Sequence, residues 1–514
     1  MKIKILTIMV VVACLMASEN YLKSMSKHFL YDTLKLPTDT FEDYISRRTG
    51  EEKIKTLKKT SSRTNAVLVI AESSIYTICK DKIDRYVEDV ESCLGYEISL
   101  LTVTESVTPE DIKQEILNSY NDNNISGAVL IGDVSTAWYE VENDFGSYGY
   151  AVFPIDLFYM DLDGVWLDND GNNRYDKHLN NVEPEIFIGR INTSTMNQLG
   201  SEEILLNQYL DKNHQFWLGN IEMTNKISLS YTDSDWTPYD DMKHDIQYLY
   251  GLENHESIEY GDEFFSRTDY LQKVTDDTYG MIQFACHSSW EAHYMTDEPL
   301  IYTNNLFNLP PESIAYNLFC CSGCRWTAPM APDNGFLGGA YVYNGGQNTL
   351  FAVGSTKTGS MLGFANYYIP LGNGDINGEA MKTWWIDNLG NEHDSDEISW
   401  FYGMTIVGDP MVSMKYTPTK VYETNVSSMN LISCYPNPFN PTTEILFTCN
   451  SNDNVELSVY DINGAHINTL INDTFSSGTH SVHFNAENLS SGTYLAKVKI
   501  NKLQSQTIKL VLIK

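Results

Sequence analysis

Two short apolar runs, Met281–Trp290 (MIQFACHSSW) and Ser313–Trp326 (SIAYNLFCCSGCRW), constrain this chain more than anything else in it. Each is the length of a buried strand, and each breaks off in small polar residues beside a reactive side chain. The first delivers His287 and the second Cys320, within Cys320-Cys321-Ser322-Gly323. The two residues stand 33 positions apart, enough for one strand–connection–strand unit. In an open α/β sheet, ligands sit outside the carboxyl ends of the strands, so neighbouring strands that end this way set an imidazole beside a thiol.

The flanking sequence fits such a sheet. Strands are expected at Ala66–Ile70, Glu97–Val103, Gly127–Ile131, Glu185–Ile191, Lys226–Ser230, Met281–Ala285, Ile314–Phe319 and Thr349–Val353. Helical patterns separate most of them, as at Asp81–Cys93, Pro109–Tyr120, Ser201–Leu218 and Asp240–Tyr250. Strands alternating with helices imply a mostly parallel sheet covered on both faces. After a polar linker the pattern changes to short alternating strands, Glu444–Phe447, Val455–Tyr460, Gly478–Phe484 and Thr493–Lys499, broken by Asn463-Gly464 and Ser491-Gly492. That spacing indicates a small all-β, immunoglobulin-like sandwich.

A histidine beside a cysteine supplies a base and a lowered thiol pKa, which is what a nucleophilic cysteine needs. The expected chemistry is hydrolysis of a peptide bond. His287 protonates the leaving amine, and backbone N–H groups of Cys320 and of Ser288 or Ser289 hold the oxyanion. The nine cysteines leave other readings open, since Cys321-Ser322-Gly323-Cys324 is also the spacing of a redox pair or half a metal site. A metal site would need two more ligands, and no second such pair occurs.

Between Tyr159 and Asn181 the periodicity fails in a stretch dense in carboxylates, Gly and Asn. Hard cations take six to eight oxygens on a tightly turning loop. Asp161, Asp163, Asp168, Asp170, Asn172 and Asp176 are therefore expected to hold structural calcium, although no Glu closes the loop as in an EF-hand. No organic cofactor is expected.

The chain has 514 residues and a formal charge of −34, from 34 Lys and Arg against 68 Asp and Glu. Two or three domains fit that length, and the charge argues against nucleic acid or an anionic membrane as partner. Lys2 and Lys4 precede an apolar run that reaches Ala17-Ser18, so residues 1–18 read as a secretory signal. Val11-Val12-Ala13-Cys14 also resembles a lipobox, which would lipidate Cys14. Residues 19–63 are polar and lysine-rich, consistent with a removable pro-segment or a plain extension, and no later apolar run is long enough to span a membrane. The expected organisation continues as a catalytic domain over 64–416, a linker over 417–433 and the sandwich over 434–514.

The strand that ends in His287 and the strand that ends in Cys320-x-x-Gly323 resemble the caspase-like clan of cysteine peptidases, within it the gingipain family. Gly127–Val134 (GAVLIGDV), Phe153–Tyr159 (FPIDLFY), Pro184–Ile191 (PEIFIGRI), Ser355-Thr356 and Val407–Pro410 (VGDP) resemble gingipain segments in the same order. The resemblance implies a caspase-like fold, structural calcium and endopeptidase activity on protein or peptide substrates. Its Cys-x-x-Gly spacing favours Cys320 over Cys321. Adjacent side chains at a strand end point to opposite faces, so only one of the two can meet His287. By the same resemblance Glu140 would orient His287, and Asp156 would sit in a pocket for a basic residue. Three positions depart from the family: Met361 replaces a pocket tryptophan, and Cys286 and Ser288 replace the glycines flanking the histidine. An inactive surface adhesin and a transpeptidase therefore stay open as alternatives. The motifs YPNPFNPTT, YDINGA and LSSGTYLAKV resemble the C-terminal sorting domain of type IX secretion, implying that machinery as a partner and a secreted or cell-surface location.

Overall fold

A computed structural model describes residues 40–60, 65–146, 149–327, 335–344, 346, 348–388, 394–417, 432–449, 453–461, 466–476, 478–500 and 504–514. The expected signal peptide with Cys14, residues 19–39 and most of the linker lie outside them. The chain divides into two units, Met1–Val421 and Tyr422–Lys514.

The first unit begins with a helix, Phe41–Arg47, and an edge strand β1 (Ile54–Lys58). Then follow β2 (Ala66–Glu72), β3 (Glu97–Val103) and β4 (Ile125–Ile131), joined by helices Ser73–Leu94 and Pro109–Asn123. The hydroxyl of Thr108 caps the second helix, and the first ends on Gly95 at φ 72°, a left-handed position that costs glycine nothing. A long excursion with hairpins β5 (Ala137–Val141)–β6 (Ala151–Ile155) and β7 (Val165–Leu167)–β8 (Lys177–Leu179) leads to β9 (Phe187–Ile191). The second half comprises β10 (Ile227–Thr232), β11 (His255–Glu259), β12 (Tyr279–Ala285), a ribbon of β13 (His287–Ser288), β14 (Ala292–Tyr294) and β15 (Ile301–Tyr302), then β16 (Ala315–Phe319), β17 (Phe351–Ser355) and β18 (Met404–Gly408).

Eleven of these strands form one sheet in the order β1-β3-β2-β4-β9-β18-β17-β16-β12-β10-β11. It is mostly parallel, with helices between the strands. β17 and β18 run antiparallel, so apart from the antiparallel edge strand β1 the sheet is two parallel halves pointing opposite ways. The inner strands β2, β12, β16 and β17 are buried along their whole length, which explains their mainly apolar sequences.

Residues 40–60, part of the stretch read as a removable pro-segment or a plain extension, pack on this unit. β1 pairs antiparallel with β3. Phe41 and Tyr44 pack on Trp138. Arg48 donates to the carbonyls of Glu105 and Asp133 and to Ser135 Oγ, and pairs with the Asp133 carboxylate at 2.7 Å.

The second unit is a seven-stranded sandwich. One sheet joins β19 (Ile432–Tyr435), β20 (Thr442–Cys449) and β23 (Gly478–Asn485); the other joins β21 (Asp453–Asp461), β22 (His466–Phe475), β24 (Gly492–Ile500) and β25 (Gln504–Leu512). Its core is formed by Phe439, Ile445, Phe447, Val455, Leu457, Val459, Phe484, Val498 and Leu510.

Candidate active site

β10, β12 and β16 are adjacent and parallel, so their carboxyl ends open at one edge. That edge holds Asp235 after β10, His287 after β12 and the Cys320-Cys321 pair after β16. His287 Nε2 lies 3.0 Å from Asp235 Oδ2. Its Nδ1 is buried and, among the described residues, has no hydrogen-bond partner. A carboxylate on Nε2 fixes the neutral tautomer with its proton there and leaves the Nδ1 lone pair to receive a proton. Asp235 thus takes the orienting place expected of Glu140. Glu140 is engaged elsewhere, accepting from Arg174 Nε at 2.7 Å, from Asn172 at 3.0 Å and from the Tyr150 hydroxyl.

The rings around His287 define a face of the sheet. The Trp236 ring lies 5.4 Å from His287 and 4.9 Å from Phe319, and Phe319 continues to Phe364 and Trp400. On the opposite face, Cys286 Sγ is 3.3 Å from His293 Nδ1, and the other ring nitrogen of His293 meets the Tyr341 hydroxyl at 3.1 Å. Burial holds His293 far below the usual histidine range, at about 3, and pushes the Cys286 thiol well up.

The Cys320 thiol belongs to that opposite face. Its partners are the Ser288 side chain and the Gly323 N–H, and it lies within the electrostatic reach of Cys286, Cys324 and Tyr341. Burial pushes it up to about 12. Gly323 is required here for packing, because a Cβ on it would stand 2.8 Å from Cys320 Sγ. Cys324 is also buried on that side, with its sulfur against Gly338 and Gly354. Cys321 and Cys324 are not joined by a disulfide, so the redox-pair alternative has no bond in this state. Two of the expected oxyanion donors are spent: Cys320 N–H donates to Leu318 at 2.8 Å and Ser289 N–H to Ala292 at 2.9 Å.

The expected substrate pocket does not assemble. Asp156 lies in the core, where Arg190 Nε donates to it at 2.7 Å and Thr405 Oγ1 at 2.7 Å, so its charge is already neutralised. Met361 is buried, with Asn317 Nδ2 donating to its sulfur at 3.4 Å. Cys286 faces away from His287, and the Ser288 hydroxyl donates to the Cys321 carbonyl. The β4–β9 excursion instead braces the turns after β16 and β17. Arg325 donates to the Val152 carbonyl, Thr356 to that of Pro154, and buried Lys357 pairs with Asp144 at 2.9 Å.

The expected calcium ligands separate into two groups. Asp161, Asp163 and Glu185 bring ligand atoms within 4.8 Å of one another. Burial and the two aspartates push the Glu185 carboxyl up to about 7, although the Leu162 N–H donates to it and His178 bonds to Asp161. Asp168 instead accepts N–H groups from Gly171, Asn172 and Asn173, and Asp176 accepts from Asn169. Asp170 and Asn172 bond to each other, so this second loop holds its own charges with its own donors. The carboxylate set that fits a cation is Asp161, Asp163 and Glu185; the sequence pattern missed Glu185 because it lies beyond the loop.

Residues 433–514 match the family described as the secretion system C-terminal sorting domain, which makes this chain one destined for export. No curated protein matches the chain. Among solved structures, dimeric latent PorU from Porphyromonas gingivalis aligns with 10% identity and a TM-score of 0.29, covering 87% of this chain and 43% of that one. This chain therefore spans less than half the length of that protein.

Proposed function

We propose that this chain is an exported cysteine endopeptidase of the gingipain type that hydrolyses peptide bonds through His287 and a thiol of the β16 turn. The observation that carries the reading is His287 itself, clamped by Asp235 through Nε2 and presenting a buried Nδ1, without a partner among the described residues, at the edge where β16 delivers its cysteines. The thiol proton passes to Nδ1, sulfur bonds to the peptide carbonyl carbon, and the C–N bond breaks as the imidazolium protonates the amine. Water then cleaves the thioester and returns the proton to sulfur. Preference for a basic P1 residue has lost its support, because Asp156 is paired with Arg190.

The test is labelling of the exported protein with a panel of electrophilic peptides differing at P1. A cysteine of the β16 turn is expected to be labelled, and labelling is expected to fall at least a hundredfold in His287→Ala, in line with the roughly 10²–10⁴ contributed by general acid–base groups. Failure of every probe would turn the reading to an adhesin.

The sorting domain supports the type IX machinery as the export partner. Deleting residues 433–514 is expected to leave the protein in the periplasm of a host with that machinery, read by fractionation. Equal secretion of the truncated chain would remove the assignment.

Calcium is proposed at Asp161, Asp163 and Glu185, where it would neutralise crowded carboxylates and hold the excursion that braces the site. Adding calcium at about a hundred times its Kd is expected to stabilise the unit by about 2.7 kcal/mol, read as a higher Tm and lost in Asp163→Asn. Coincident melting curves with calcium and with chelator would refute it.

A further inference from the structure

We infer that Cys321, and not Cys320, is the nucleophile that His287 serves. This inference rests on the peptidase reading and selects the atom within it. The strand register points to Cys321 first. β12 and β16 pair in parallel up to Ala285 opposite Phe319. One step further stand Cys286 and Cys320, tied by the Cys286 N–H donating to the Phe319 carbonyl at 3.2 Å. Carried two steps on, the same register would set His287 opposite Cys321.

The faces agree independently. Phe319 shares the face of His287 through the Trp236 ring. Cys320, next along the chain, turns to the other side, among Ser288, Gly323, Cys324 and Tyr341. Cys321 comes back. Its thiol lies within the fields of both the Cys286 thiol and the Lys357 ammonium, the latter standing 5.0 Å over the Phe145 ring. Phe145 meets Trp400 at 5.3 Å, and Trp400 stacks toward Phe319 in the His287 layer.

The turn is built to hold that orientation. Ser322 sits at φ 57°, a left-handed conformation unusual for a residue with a side chain. Its N–H donates to the Lys357 carbonyl at 2.8 Å, and the Cys324 N–H donates to Ser355 at 2.9 Å. Backbone strain retained beside a reactive side chain is maintained only where the surroundings enforce it. The glycine that favours Cys320 by spacing has another reason to be glycine, since it makes room for the Cys320 sulfur. The chemical step is unchanged: the Cys321 Sγ proton moves to His287 Nδ1, sulfur acylates as the amine departs with that proton, and water restores the thiol.

The test uses the full chain in two measurements. Electrophilic peptide probes followed by peptide mapping are expected to place the adduct on Cys321, with labelling lost at least about a thousandfold in Cys321→Ala and retained within severalfold in Cys320→Ala. Separately, iodoacetamide near pH 7 is expected to alkylate Cys321 first and to do so at least tenfold more slowly in His287→Ala. An adduct on Cys320 that survives Cys321→Ala would overturn the assignment while leaving the peptidase reading intact. Selective, His287-dependent alkylation of Cys321 without any peptide adduct would sustain the assignment of the activated thiol and sink the peptidase reading. Equal alkylation of both thiols would overturn the assignment. Should Cys320→Ala fail to fold, Cys320→Ser, closer in size, serves the same comparison.

Discussion

His287→Ala is expected to lower kcat/KM for peptide cleavage by about 10⁴, the upper end of what a positioned acid–base group supplies. The expectation follows from the use of both ring nitrogens. Nε2 is held 3.0 Å from Asp235, and Nδ1 has no other partner among the described residues. Asp235→Asn separates orientation from acid–base chemistry, because an amide still fits the space but can present an N–H to the ring and favour the wrong tautomer. Its loss should approach that of His287→Ala. Steady-state kinetics on one peptide decide the matter, and unchanged turnover in either variant would remove the named residue from the mechanism.

Asp156→Ala is expected to destabilise the first unit by about 3–5 kcal/mol, because it strands the Arg190 guanidinium in the core. Arg190 donates to Asp156 and to the Val134 carbonyl, and lies 4.5 Å over the Trp326 ring. Urea titration of the variant measures the loss directly. If Asp156 lined a pocket for basic residues, the variant would keep its stability and lose only cleavage after Arg or Lys. Replacing the pair together, as Asp156→Leu with Arg190→Met, should recover most of the loss, since no charge is then left unpaired.

Several parts of this arrangement are legible in the sequence because one physical pattern produces them. AVLVI is apolar throughout and MIQFA is broken only by Gln283 because both faces are covered, and the strands form within two residues of those runs. Other strands leave no such trace. β1 (IKTLK) is an exposed edge strand, and β18 is short and lies beside Gly-rich turns. The antiparallel junction of β17 and β18 is invisible because periodicity records which residues are buried but not which way a strand runs.

The site divides along the same line. His287 and the adjacent cysteines stand out because reactive side chains interrupt apolar runs. Asp235 follows the same grammar, since β10 (ISLSYT) ends in Asp233-Ser234-Asp235, but carboxylates follow many strands in a chain this acidic. Glu140 and Asp156 have the expected residue type, yet their partners Arg174 and Arg190 come 34 residues later and no spacing links them. The choice between Cys320 and Cys321 depends on register, a property of two strands that neither strand spells out alone.

The pairing of β1 with β3 limits how this protein can be matured. β1 covers what would otherwise be the outer rim of β3, a line of N–H and C=O groups able to recruit another chain. A protease that trimmed the folded chain within 40–58 would uncover that rim and also remove Phe41 and Tyr44 from Trp138. Processing that ended before Thr40 would leave both the strand pairing and the Trp138 contacts in place.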